Sequence, residues 1–333
     1  MPPIRMAREQ RWAGAPGVRP PRRSARAARR SWRRRSRRAQ VSAVATILGL
    51  LLVVTFIANY ISTTLPNTMG QNDLQHELAV ENQVAQLSAR VQATAVAGAF
   101  GAQVTQPVSL GSQGAPPFAA PDGASLTALS SAANTTGNRP QSSVSFQLLG
   151  PSSVQVPVTL NGTSGFTVHF ANTYAPLAEV AYDQGSVVFA QPGGTPIFIV
   201  PPSITLVSGV LTIFVPWFSN SVAGEAGTGT ADASLRLLST TSLTVPSNGF
   251  SFVSGSSVTF RVVSPYAAGW FSYLGASTAF QPYTLTCTGS NNVCNAPYNP
   301  FGIAPLGQVT LVIPTSAILQ LNILTAVYAI QLA

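Results

Sequence analysis

Lysine is absent from the sequence, and charge of any kind is scarce: eighteen arginines, nine acidic residues and two histidines among 333 positions, with two cysteines. Without lysine there is no Schiff-base amine and no phosphate-cradling glycine loop closed by a lysine. His76 and His169 have no sequence neighbour that would orient an imidazole or complete a ligand set, so both read as solvated surface residues. Glu179 and Asp183 have the makings of a glycosidase acid pair, but two carboxylates near one turn read first as surface groups. Cys287 and Cys294 supply two of the four ligands that structural zinc needs, with no further Cys or His at suitable spacing. No catalytic, cofactor or metal residue emerges, and the chain reads as a non-enzyme.

The charge that exists is concentrated at one end. Fourteen of the arginines lie between Arg5 and Arg38 against Glu9 alone, a charge of +13 over residues 1–39. From Gln40 onward four arginines face eight carboxylates, so the pI of about 10.4 describes an arm and not a domain. A nucleic-acid binder needs basic residues spread over a folded face; none are there, and nucleic acid is excluded as a partner.

Beyond the arginines, Val41 to Ile61 carries no charge, and its only polar side chains are Ser42, Thr46, Thr55 and Asn59. As a helix this run is about 31 Å long, the thickness of a bilayer's hydrocarbon core. It has no polar stripe of the kind a soluble helix shows. The arginine block then serves as the positive-inside signal, leaving the N-terminus cytosolic and residues 63–333 outside a cell membrane crossed once. Juxtamembrane arginines gain on the order of 1 kcal/mol each beside anionic lipid, the first expected partner. A removable secretory signal fits less well, because the apolar run is long and "NYISTTLPNTMG" offers no small-x-small cleavage site.

The junction "RRAQVS", Arg37 to Ser42, resembles the processing site of archaeal class III signal peptides on type IV pilins and archaellins. The resemblance implies that Arg38 and Ala39 precede a cut by a prepilin-type peptidase and that Gln40 and Val41 follow it, with Ser42 as the polar third residue. Val44 stands where many bacterial pilins carry glutamate, which removes a charge-guided assembly step.

Past the span, Pro66 and Gly70 in "LPNTMGQ" predict a break in the helix. A second, short amphipathic helix is expected within 63–100, with Asn72 as N-cap, Gln75 three residues on, and Leu74, Leu78, Val84, Leu87 and Val91 on its apolar face. Residues 101–142 are rich in Gly, Pro, Ala and Ser and read as a linker. From Ser143 the sequence becomes a series of short β-branched and aromatic runs: "SVSFQLL", "VQVPVTL", "FTVHF", "SVVFA", "PIFIV", "SITLV", "VLTIFV", "ASLRLL", "SVTFRVV" and "QVTLVI". Bounded by Gly, Pro, Asn and Ser, they predict an antiparallel β-sandwich or related all-β domain over 143–333, with one core or two. Phe166, Val168 and Phe170 share one strand face, Thr167 and His169 the other.

The order "AEVAYDQGSVVFAQPGG", the Pro201-Pro202 pair, the glycine-rich Gly224 to Gly229 and "SPYAAGW" from Ser264 to Trp270 is similar to uncharacterised archaeal envelope proteins with pilin-like N-termini and β-rich ectodomains. That resemblance implies location and architecture.

"CTGSNNVC" is a short polar loop on the side expected to be outside, where a Cys287–Cys294 disulfide would contribute about 2–3 kcal/mol. Two glycosylation acceptors, Asn134 and Asn161, lie on the same side. The sequence therefore predicts a mainly β protein: a disordered arginine-rich cytosolic arm over 1–39, a transmembrane helix over 40–62, a short amphipathic helix, a linker and an extracellular β-sandwich-like domain. The reading is a pilin-like structural or adhesive surface component that assembles into homo-oligomers or pili. The alternative is a permanently anchored domain that binds an extracellular ligand, with a surface hydrolase more distant.

Overall fold

The computed structural model describes residues 24–128, 143–149, 155–161, 165–219, 224–245, 252, 256–289 and 307–333. The chain divides into two units, Met1–Ser62 and Thr63–Ala333.

In the first unit, helix α1 spans Ser24–Asn59. It begins inside the arginine arm, so the part of the arm from Ser24 onward is helical where disorder was expected. Arginine and alanine are good helix formers, and an apolar helix can extend into such a sequence without a break. A π-helical stretch, Tyr60–Thr64, precedes helix α2, Leu65–Ala97. The expected break at Pro66 does not occur: the helical run continues through it, with the π-helical stretch Tyr60–Thr64 relaxing the i→i−4 pattern in the turn before the proline. Helix α2 is thus 33 residues long, not short, and it ends at Gly98 in the left-handed conformation.

The strands are β1 Gln103–Ser109, β2 Ala124–Ala128, β3 Ser143–Leu149, β4 Gln155–Asn161, β5 Gly165–Phe170, β6 Glu179–Asp183, β7 Ser186–Ala190 and β8 Ile197–Val200. They continue with β9 Ile204–Val207, β10 Val210–Phe218, β11 Glu225–Gly227, β12 Thr230–Val245, β13 Ser257–Ser264, β14 Thr284–Gly289, β15 Gly307–Pro314 and β16 Gln320–Leu332. Helix α3, Ala267–Ala276, lies between β13 and β14. The first two strands fall in the expected linker. Small side chains there (Ala124, Ala128) are buried with Val108, Leu110 and Leu126, so a composition typical of loops packs as core.

Among the described residues three sheets form, in the orders β1-β12-β16-β10-β9, β11-β2-β5-β6-β7-β8 and β14-β15-β13-β3-β4. Pairing is antiparallel except between β10 and β16, which run parallel from Val210↔Gln320 to Phe218↔Tyr328. The β6–β7 and β9–β10 hairpins turn on two residues each, Gln184-Gly185 and Ser208-Gly209, all at positive φ. That is the conformation whose twist matches paired strands.

Alternation along β10 sends Phe214 and Phe218 into one core and Leu211, Ile213 and Val215 into another. The first sheet is therefore a middle layer, apolar on both faces. One core joins it to the second sheet and to Val80, Val84, Leu87, Val91 and Ala95 of α2. The other joins it to the third sheet and to Trp270 and Leu274 of α3.

Candidate functional site

Apolar surface marks the first candidate. One helical run, Val41–Ala97, contains a stretch long and apolar enough to cross a membrane. From Val41 to Ile61 its large apolar side chains are 39–71% exposed. Its hydroxyls are turned inward on the helix: Thr46 donates to the Ser42 carbonyl at 2.9 Å and Thr55 to the Leu51 carbonyl at 2.7 Å. Such i−4 bonds hide the donors of a polar side chain from hydrocarbon. Arg38, Ala39, Gln40 and Val41 all lie within α1.

Of the other residues singled out from sequence, Cys287 stands on β14 opposite Val309, its side chain packed at the margin of the second core. Cys294 and Asn134 lie outside the described residues. Asn161 is the last residue of β4, paired with Ser143.

The surface reading of Glu179 and Asp183 is overturned, for both are buried in β6 at 1% and 0% exposure. Strand periodicity points them, with Ala181, to the face opposite Val180 and Tyr182, and that face is covered by Tyr266 and Phe198. The Tyr266 hydroxyl donates to Glu179 Oε1. Glu179 Oε2 lies 2.5 Å from His169 Nδ1, in ion-pair contact although not in hydrogen-bonding alignment. On its far side His169 Nε2 meets the Thr167 hydroxyl at 3.1 Å, which meets the Thr127 hydroxyl at 3.2 Å. Asp183 Oδ2 accepts from Ser264 at 2.7 Å and from the Trp270 indole at 3.3 Å. Ser264 in turn accepts the Tyr266 amide at 2.9 Å.

The order Thr167, His169, Glu179 is that of a hydroxyl, base and orienting acid. Thr167 is only 2% exposed, however, and lies mid-strand between paired neighbours. A substrate carbonyl has no path to it, and the ladder leaves no free amides to receive an oxyanion. The array instead ties β2, β5 and β6 to the β13–α3 corner through a chain of largely buried polar contacts. Sequence reasoning identified the opposite faces of β5 correctly but not the cover over the second one.

Helix α2 carries a second buried polar group. Its buried face includes Asp73, His76, Glu77 and Ser88, whereas Leu74 and Leu78 are 49% and 56% exposed. The expected apolar face was misplaced in its first turns, because the buried face there mixes Leu65 and Met69 with Asp73, His76 and Glu77. His76 Nε2 contacts the Ser109 carbonyl at 2.9 Å, and its ring meets the edge of Phe170. Solvation of His76 at a surface is thereby corrected as well. Glu77 Oε1 accepts the Asn172 amide, and Asn72 donates to the Gln113 carbonyl at 2.7 Å. Burial pushes the Glu77 carboxyl up to about 7, against the stabilising Asn172 amide and with added repulsion from Glu81 and Asp73. Burial also raises Asp73 above the ordinary carboxylate range, with repulsion from Asp122, while the Ser112 hydroxyl and the Tyr174 and Ala175 amides pull the other way.

The β1–β12–β16 part of the first sheet holds a groove of about 380 Å³ lined by Gln103, Ser234, Arg236, Ala329, Ile330 and Gln331. Arg236 is exposed and makes no ion pair among the described residues. Also among the described residues, no three His, Cys, Asp or Glu side chains are grouped to hold a metal ion. No protein-family model, curated protein or solved structure matches the chain.

Proposed function

We propose that the chain is a single-pass surface protein, pilin-like in plan, that crosses the cell membrane through Val41 to Ile61 and displays residues 63–333 outside as a structural or adhesive component. The observation that carries this reading is the contrast between the two units. The second buries its aliphatic residues in two cores, whereas α1 exposes a continuous apolar surface that only lipid or another apolar helix can cover. The +13 arm sets its cytosolic end. The "RRAQVS" junction supports cutting after Ala39 by a prepilin-type peptidase. A Cys287–Cys294 disulfide and glycans on Asn134 and Asn161 suit the same outside face.

Membrane fractionation and N-terminal sequencing of the native protein test the reading. We expect carbonate-resistant membrane association and a mature N-terminus at Gln40, with Ala39→Glu blocking the cut. Intact protein starting at Met1 or Pro2 in the envelope would remove the filament-subunit form and leave a permanent anchor. Release by carbonate would remove the membrane reading altogether.

The groove at Arg236 favours a second reading, in which the anchored domain binds a ligand. An unpaired guanidinium between two primary amides matches a small carboxylate-bearing molecule, since the fork pairs bidentately with carboxylate and the amides both donate and accept. Equilibrium binding of an acidic monosaccharide, lost in Arg236→Gln, supports that reading; equal binding by both forms counts against it.

A further inference from the structure

We propose that the first turns of α2 form a proton-operated latch, in which Asp73 and Glu77 hold the helix on the β-domain when they carry protons and release it when they are ionised. Four observations support it. Asp73 is wholly buried, and its carboxylate faces the Ser112 hydroxyl, the Tyr174 and Ala175 amides and the repelling Asp122. Glu77 is 4% exposed and, among the described residues, accepts only the Asn172 Nδ2 donor, while Asn172 Oδ1 is buried without a donor among them. A protonated Glu77 supplies that missing donor and closes a two-point acid–amide pair; an ionised Glu77 leaves Asn172 Oδ1 facing negative charge. Finally, the groups around these carboxyls add no cation. Glu81 lies one turn further along α2, and Asp122 approaches from the β1–β2 connection, engaged with the Thr173 amide and hydroxyl at 2.7 and 2.8 Å. His76, on the same helix, is directed to the Ser109 carbonyl. Arg90 lies at the other end of α2 and faces the Thr105 carbonyl.

The buried carboxyls are confined to one half of the helix, whereas the polar contacts beyond it are made by the uncharged Gln83, Ser88 and Gln92 and by Arg90. Asn72, Asp73, His76 and Glu77 meet residues 109–113 and 172–175, whereas Val80, Val84, Leu87, Val91 and Ala95 are held by the first core. Ionisation therefore frees the first turns and leaves the rest docked. The direction follows from proton uptake. With the Glu77 carboxyl raised from 4.5 to about 7 in the docked form, docking binds the extra proton between those values. The latch is closed below about pH 4.5 and opens as pH rises through about 7. Nothing here depends on the membrane reading, since α2 and the sheets form one unit.

Amide hydrogen exchange of the full chain in detergent micelles, corrected for the intrinsic pH dependence of exchange, tests the latch. Protection over residues 65–79 should be constant below pH 4.5 and then fall by up to about tenfold per pH unit toward pH 7. Residues 84–95 should stay protected throughout. The double variant Asp73→Asn, Glu77→Gln should keep residues 65–79 protected at pH 8. Unchanged protection of 65–79 from pH 4.5 to 8 in the wild type, or an equal loss in the double variant, overturns the proposal. Should the double variant fail to fold, the wild-type contrast between 65–79 and 84–95 decides alone.

Discussion

Eight carboxylates serve the 294 residues from Gln40 onward, and four of them, Asp73, Glu77, Glu179 and Asp183, are buried. A sparse exterior charge suggests a fold indifferent to acid, but what matters is where the few charges are. Asp183 is acceptor for both the Ser264 hydroxyl and the Trp270 indole, so Asp183→Leu strands two buried donors at the β13–α3 corner. A loss of about 3 kcal/mol is expected in urea unfolding of the wild type and variant. Glu225→Gln, on the exposed strand β11, should stay within about 0.5 kcal/mol. These burials were not legible in the sequence: "EVAYD" shows no partner for either acid, because Tyr266, Ser264 and Trp270 arrive more than eighty residues later.

Elements differ in how openly they announce themselves. All ten β-branched runs from Ser143 onward became strands, since their composition and turn-rich boundaries mark them locally. Strand β16 was missed because its inward phase changes. Leu321 and Ile323 face one core, then Ala326, Tyr328, Ile330 and Leu332 face the other, and no single alternation runs through "QLNILTAVYAIQL". Helix α3 was missed because "AAGWFSYLGA" holds two glycines and three aromatics, a poor intrinsic helix that Trp270 and Leu274 anchor through the second core. In α2 the mixed apolar and polar docking of the first turns concealed the true buried face. Leu87→Ala should therefore cost about 2–5 kcal/mol, and Leu78→Ala, at an exposed position, almost nothing; thermal unfolding of the two variants separates these outcomes.

Close strand approach gives another element-scale test. A Cβ on Gly165 would lie 1.5 Å from the Tyr182 carbonyl oxygen, across the β5–β6 ladder. Gly165→Ala should push these strands apart at a cost of about 1–3 kcal/mol or more, while Gly229→Ala, with open space around it, should be tolerated. A calorimetric comparison of the two reads the difference.

At the scale of the molecule, the sequence yields the membrane-length helix and the mainly β character because both depend on local pattern. The arrangement of three sheets around a shared middle layer depends on contacts far apart in the chain. Protease added to intact cells should digest residues beyond Thr63 and spare the arginine arm; an accessible arm would reverse the proposed orientation.

The parallel pairing of β10 with β16 also sets a clock. Strand β16 lies at the centre of the middle layer, between β12 and β10, and contributes to both cores, yet it is built from residues 320–332. Until those residues emerge, β10 and β12 have a gap between them, and neither core can close. The domain must stay open until residues 320–332 have been made, and both cores then close together. Stalled nascent chains ending before Gln320 should remain sensitive to protease over residues 165–245, and chains extended past Leu332 should become resistant.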